Sequence, residues 1–92
     1  MSINVDIIKR NGTSEPFDRH KLHKSIVAAC LSVHAPHGQA ETTAHSVCDE
    51  VVTWLQNRPE VTSQDIRNTA TKFLKRFHPE AAYLYGQHHL II

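Results

Sequence analysis

Five side chains in this 92-residue sequence suit an anionic ligand: Lys9, Arg10, Lys21, Ser63 and Arg67. Lys9 and Arg10 end a first apolar run, Lys21 lies one turn into a helical segment, and Arg67 one turn into another. A helix start presents free N–H groups and the positive end of the backbone dipole, which favours phosphate. Ser63 adds a hydroxyl. Beside these groups, Ile7 and Leu22 could sandwich an apolar base, and Glu15 and Asp18 can accept hydrogen bonds from an exocyclic amine. Spacing alone leaves a second reading open, in which the same cations are a solvated surface. Only a fold that gathers them makes a site.

Catalytic signatures are missing. The three glycines are not clustered, so there is no glycine-rich phosphate loop, dinucleotide fingerprint or nucleophile elbow. The eight histidines raise the question of a metal, with His20/His23 three apart and His34/His37 flanking a helix end. No third carboxylate or thiolate sits at the usual spacing, so no metal site is expected and the histidines read as solvent-facing or cap-forming. Cys30 and Cys48, the two cysteines, fall on core stripes and read as free buried thiols of a reducing cytosol.

The elements that must position the candidate groups follow from periodicity. Ile3, Val5 and Ile7 alternate with polar residues, a strand pattern, and Asn11-Gly12 signals a tight turn into a second strand. A two-residue turn there pairs Lys9 with Ser14 and Ile7 with Pro16, placing Arg10 beside Glu15. This gives a hairpin over 3–17. Helices are expected at about 19–34, 39–57, 63–77 and 79–90. Their apolar stripes are Leu22, Ile26, Ala29, Cys30 and Val33; Ala40 to Leu55 with Trp54; Ile66, Ala70, Phe73, Leu74 and Phe77; and Ala81, Leu84, His88 and Ile91. Asp18 is placed to cap the first helix, and Thr62 with Asp65 offers a capping box for the third. The expected fold is α+β, mainly α: a single domain over 1–92, a four-helix bundle capped by an N-terminal β-hairpin that needs a surface on which to bury its apolar face.

Net charge is +1 with histidine neutral, which argues against nucleic acid as a partner held by phosphate neutralisation. The charge is uneven, however, with basic residues in 9–24 and 67–76 and Glu41, Asp49, Glu50 and Glu60 between them. The Ile3–Ile8 run is short for a signal peptide and carries Asp6, and no apolar run reaches membrane-span length, so a cytoplasmic protein without membrane contact is expected.

Lys9-Arg10-Asn11-Gly12, Glu15-Pro16-Phe17-Asp18 and Lys21-Leu22, followed by Val61-Thr62-Ser63-Gln64-Asp65-Ile66 and His78-Pro79-Glu80-Ala81-Ala82-Tyr83-Leu84, resemble the ATP-cone. This regulatory nucleotide-binding module stands at the N-terminus of many ribonucleotide reductases and in the repressor of their genes. The resemblance covers about residues 3–90. It implies a non-catalytic module that binds ATP or dATP, with Mg2+ a candidate companion, between hairpin and helices. By position, Lys9, Arg10 and Lys21 would hold phosphates. Glu15 and Asp18 would approach the adenine, Ile7 and Leu22 would pack on the nucleotide, and Ser63 and Arg67 would contribute polar contacts. The implied partner is a catalytic subunit, or self-association, with allosteric control of a reductase as the leading function. Two alternatives remain: a helical interaction domain with a decayed nucleotide site, or part of a transcriptional regulator whose zinc ribbon is not among these residues. Asn11 stands where the family usually has Asp. His89-Leu90-Ile91-Ile92 lacks the basic residue that many members carry after the last helix.

Overall fold

The computed structural model describes residues 5–87, and the elements run β1 (Asp6–Ile8), β2 (Ser14–Pro16), α1 (Arg19–Ser32), α2 (His37–Leu55), β3 (Glu60–Thr62), α3 (Ser63–Phe77) and α4 (Pro79–Gln87). The fold is mainly helical, with four helices and a small sheet. Helix α1 packs on α2, α2 on α3, α3 on α4, and α4 returns to α1. Their inward stripes meet in one core, which the sheet completes through Val5, Ile7 and Val61.

The sheet has three strands where the hairpin alone gives two. Its order is β2-β1-β3, with β1 antiparallel to β2 and parallel to β3. Strand β3 has no visible period because it is three residues long and follows the break at Pro59. Asp6 N–H donates to Pro59 O at 3.2 Å, and Ile8 lies beside Thr62. The start of α3 is thereby fastened to the end of β1.

The hairpin register also differs from expectation by one residue. Ile7 lies opposite Glu15 and Ile8 opposite Ser14, so the loop has three residues between Lys9 and Thr13. The cause is local. Asn11 Oδ1 accepts from both the N–H and the hydroxyl of Thr13, at 3.1 and 2.6 Å, and Asn11 keeps a negative φ. A type I′ turn would need positive φ at both central residues; here Gly12 alone takes it, at +86°. Gly12 N–H donates to Lys9 O at 2.9 Å, giving the three-residue loop with a left-handed glycine. Glu15 consequently shares a face with Lys9 instead of Arg10.

Helix boundaries fall close to expectation. Asp18 caps α1 and the Thr62/Asp65 capping box opens α3. Helix α1 ends earlier, at Ser32: His34 takes φ +64°, and Ala35 N–H reaches Cys30 O at 3.1 Å while His34 N–H reaches Leu31 O at 3.0 Å, a Schellman closure. Helix α2 starts earlier, at His37, because Pro36 (φ −58°, ψ 144°) presets its entry. Along α4 the inward residues are Ala81, Ala82 and Tyr85, with Leu84 half-buried, and Phe77 at the end of α3 is 48% exposed. The expected core positions His88 and Ile91 lie outside the described residues.

Candidate functional site

Three of the sequence-selected side chains meet directly. Glu15 Oε2 lies 3.3 Å from Lys9 Nζ and 4.0 Å from Lys21 Nζ, so one carboxylate oxygen contacts two ammonium groups, one from the residue after β1 and one from α1. The one-residue register difference makes this contact, because it brings Glu15 to the Lys9 face. Arg10 is exposed in the adjacent turn. An oxyanion placed at this edge would compete with Glu15 for both lysines.

The remaining candidates are distributed over the hairpin, α1 and the start of α3. Asp18 Oδ1 accepts from His20 N–H at 2.9 Å and Lys21 N–H at 3.4 Å, satisfying the first turn of the helix that carries Lys21. Ile7 and Leu22 are 3% and 0% exposed and belong to the core beneath the sheet. Ser63 is half-buried and directly follows the Thr62 that pairs with Ile8, so β3 delivers the α3 N-terminus beside the end of β1. Arg67, one turn further, is half-buried and donates through Nη1 to Gln64 Oε1 at 3.4 Å.

Two hydroxyl groups that the sequence reading did not select meet in the core between α1 and α4. Ser25 Oγ and Tyr85 Oη are 3.0 Å apart in the buried core, and Ser25 also donates to Leu22 O at 2.8 Å. Burial pushes the Tyr85 phenol up to about 12, against smaller downward pulls from the Ser25 hydrogen bond and the positive charge of Arg67. The only available signal was position: Tyr85 stands four residues after Ala81, at inner-stripe spacing.

Polar pairs also tie α1 to α2. Arg19 Nη2 donates to Asp49 Oδ1 at 2.8 Å, and His45 Nε2 lies 3.5 Å from Asp49 Oδ2. His23 Nε2 donates to Glu41 Oε2 at 2.6 Å, with His37 Nε2 3.9 Å from Oε1. The His23 hydrogen bond holds the Glu41 carboxyl below its usual range. His78 Nδ1 accepts from Ala81 N–H at 3.3 Å in the first turn of α4. Among the described residues no three His, Cys, Asp or Glu side chains are grouped to hold a metal ion. Cys30 and Cys48 are free and buried, and burial raises both thiols, Cys48 to about 11, so they are protonated at neutral pH.

A basic edge built from a hairpin, the first turn of α1 and the start of α3 is the layout expected of the nucleotide-binding regulatory module named above. The family model described as the ATP cone domain matches residues 5–87, and the chain belongs to that family. Among curated proteins, it is 33% identical over 84 residues to the transcriptional repressor NrdR of Crocosphaera subtropica, covering 89% of this chain and 42% of that protein. The NrdR of Thermosynechococcus vestitus is 34% identical over 82 residues, covering 89% and 49%. That of Roseiflexus sp. is 28% identical over 82 residues, covering 89% and 52%. The chain thus spans about half the length of the curated relatives it matches. These relatives overturn the expectation that nucleic acid is an improbable partner: they are transcriptional repressors, and a net charge near zero does not by itself exclude a nucleic-acid partner. They also fit the transcriptional-regulator alternative better than attachment to a reductase. Among the described residues no helix is long and apolar enough to cross a membrane.

Proposed function

We propose that this chain is a non-catalytic adenine-nucleotide sensor, taking ATP or dATP, that works within or upon a transcriptional regulator. The observation that carries this reading is the Lys9–Glu15–Lys21 contact within a chain of the ATP-cone family. In the ligand-free protein Glu15 acts as an internal counter-ion. Phosphates displace it from Lys9 and Lys21, with Arg10, Ser63 and Arg67 completing the anion grip, and the freed carboxylate turns to the exocyclic amine of adenine. Asp18 holds the first turn of α1 in register and lies near the base. Ile7 and Leu22 form the apolar support beneath, in a bundle of four helices with the sheet as its cap. A reductase subunit as the regulated partner is the weaker branch of the same reading, because the relatives are repressors. Binding controls a partner only if it discriminates between two arrangements. The hinge for that discrimination is the β1–β3 pairing, which couples the hairpin to the α3 N-terminus.

Calorimetric titration with ATP, dATP and GTP tests the reading. Binding of adenine nucleotides tighter than about 1 mM, an affinity near 4 kcal/mol, with GTP weaker, is the expected result. Absence of any adenine-nucleotide heat below that concentration rejects it.

A further inference from the structure

The hairpin tip places a side-chain amide next to a bare backbone nitrogen. Asn11, Gly12 and Thr13 are all exposed, and the space where a Gly12 β-carbon would stand is open, with no heavy atom beyond the chain neighbours within 4 Å. Asn11 Oδ1 accepts from the Thr13 N–H at 3.1 Å and from its hydroxyl at 2.6 Å, so the carboxamide is folded forward along the chain, past Gly12. Those two donors also polarise the Cγ=O bond and meet the negative charge that forms on Oδ1 when a nucleophile adds to Cγ. Lys9 and Arg10 precede Asn11, and their positive field favours the same charge. One contact opposes attack: Gly12 N–H donates to Lys9 O at 2.9 Å. It lies at an exposed loop tip, where local opening costs little.

We propose that Asn11-Gly12 is a self-acting modification site in the folded protein. The Gly12 amide nitrogen bonds to Asn11 Cγ, its proton passes to the leaving amide group, and ammonia departs as the Cγ–Nδ2 bond breaks. Water then opens the resulting cyclic imide at either carbonyl and leaves aspartate or isoaspartate at position 11. Water enters and ammonia leaves, so the step needs no oxidant and no cofactor. The glycine sets this position apart. Asn57 precedes Arg58 and Asn68 precedes Thr69 within α3, and each following side chain shields the nitrogen that would attack. Either product puts a carboxylate beside Arg10, and isoaspartate also lengthens the backbone by a carbon within the loop that brings Glu15 to Lys9. A weaker hold on anions follows from the added charge; that consequence rests on the nucleotide reading, whereas the modification does not.

The test ages the wild-type protein at mildly alkaline pH, with and without guanidinium chloride, and follows each asparagine by peptide mass mapping and enzymatic isoaspartyl methylation. In the folded sample Asn11 should convert ahead of Asn57 and Asn68. Its rate should stay within about tenfold of the rate in the unfolded chain, the loss expected when the loop tip opens readily. Thr13→Val, which removes the hydroxyl donor, should slow the folded reaction, and an unchanged or faster rate overturns the part given to that donor. An Asn11 that stays intact while the unfolded chain reacts, or that converts no faster than Asn57 and Asn68, overturns the inference. Titration of Asn11→Asp with inorganic tripolyphosphate reads the consequence. An affinity at least about twofold below wild type is expected of an added charge in water-like screening, and an equal affinity overturns that consequence. Binding by neither protein fails the nucleotide reading alone and leaves the mass result to decide the modification.

Discussion

Replacing Lys9 and Lys21 together by alanine separates a surface ion cluster from a ligand grip. The two lysines lie 3.3 and 4.0 Å from Glu15, and their side chains are 42% and 49% exposed. At those separations in water-like screening each pair is worth about 1 kcal/mol by Coulomb's law. Measured exposed pairs give about 0.2–1 kcal/mol after the entropy of holding two long side chains. Loss of both pairs should therefore lower stability by about 1 kcal/mol, a fall in Tm of roughly 4–8 °C for a domain of this size. Ligand affinity should respond far more. A hydrogen bond to a charged group contributes about 1.5–3 kcal/mol, so two lost phosphate contacts weaken ATP binding by at least about a hundredfold.

Calorimetry with ATP and thermal melts without ligand measure both quantities on the same samples. Glu15→Gln supplies the opposite sign on one ligand: removing the internal counter-ion should tighten inorganic tripolyphosphate while narrowing the preference for ATP over GTP. An ATP affinity that stays within about threefold of wild type in the double variant, less than 1 kcal/mol of change, would refute the phosphate assignment. So would a Glu15→Gln protein that binds tripolyphosphate more weakly, since the carboxylate would then not be competing for the lysines.

Three further outcomes test the framework that positions the site. The Tyr85 phenol is raised to about 12 from a model-peptide value of 10.0, so between those pH values the unfolded chain releases a proton that the folded chain retains; stability should fall with rising pH there, by roughly 2–3 kcal/mol, and Tyr85→Phe should remove that alkaline step in denaturant titrations followed by circular dichroism. His34 occupies a left-handed conformation at φ +64° where β-carbon crowding costs about 1 kcal/mol, so His34→Gly should leave the fold intact and raise stability by up to about 1 kcal/mol in chemical denaturation. Thr62→Ala removes the side chain that accepts from Asp65 N–H at 3.0 Å and should cost about 1 kcal/mol in the same assay, with amide exchange quickening first in the opening turn of α3.

The parts of this fold that repeat were legible in the sequence, and the parts decided by one residue were not. Three inner helix stripes could be read because Leu22/Ile26/Ala29, Val47/Val51/Leu55 and Ile66/Ala70/Leu74 each sustain the helical period over two turns or more. The nine described residues of α4 give too short a window, and the inner position fell on Tyr85 one residue beyond Leu84. Both helix caps were readable because Asp18 and the Thr62/Asp65 pair act on backbone groups within three residues. The turn was legible in place but not in register. Asn-Gly serves two-residue and three-residue loops alike, and the choice rests on whether the Asn11 side chain captures Thr13. Strand β3 was invisible, since three residues carry no period and their pairing to β1 spans more than fifty positions of chain.

Under the proposed function, that unreadable pairing is the route by which the basic edge would report on the rest of the molecule. Lys9 continues from the strand whose Ile8 lies beside Thr62, and Thr62 is the residue that caps α3. A displacement of the hairpin would therefore act on the capping box as well as on the core packing of Val5 and Ile7. From there α3 carries Arg67, whose charge acts on the buried Tyr85 hydroxyl of α4, and Tyr85 in turn holds Ser25 of α1 at 3.0 Å. The circuit closes on the helix that also bears Lys21. Each contact in it joins different elements, so no stretch of sequence contains the circuit. A sensor of the proposed kind would need only small changes at its rim, because four helices already share one core and a shift at the start of α3 has few independent ways to relax.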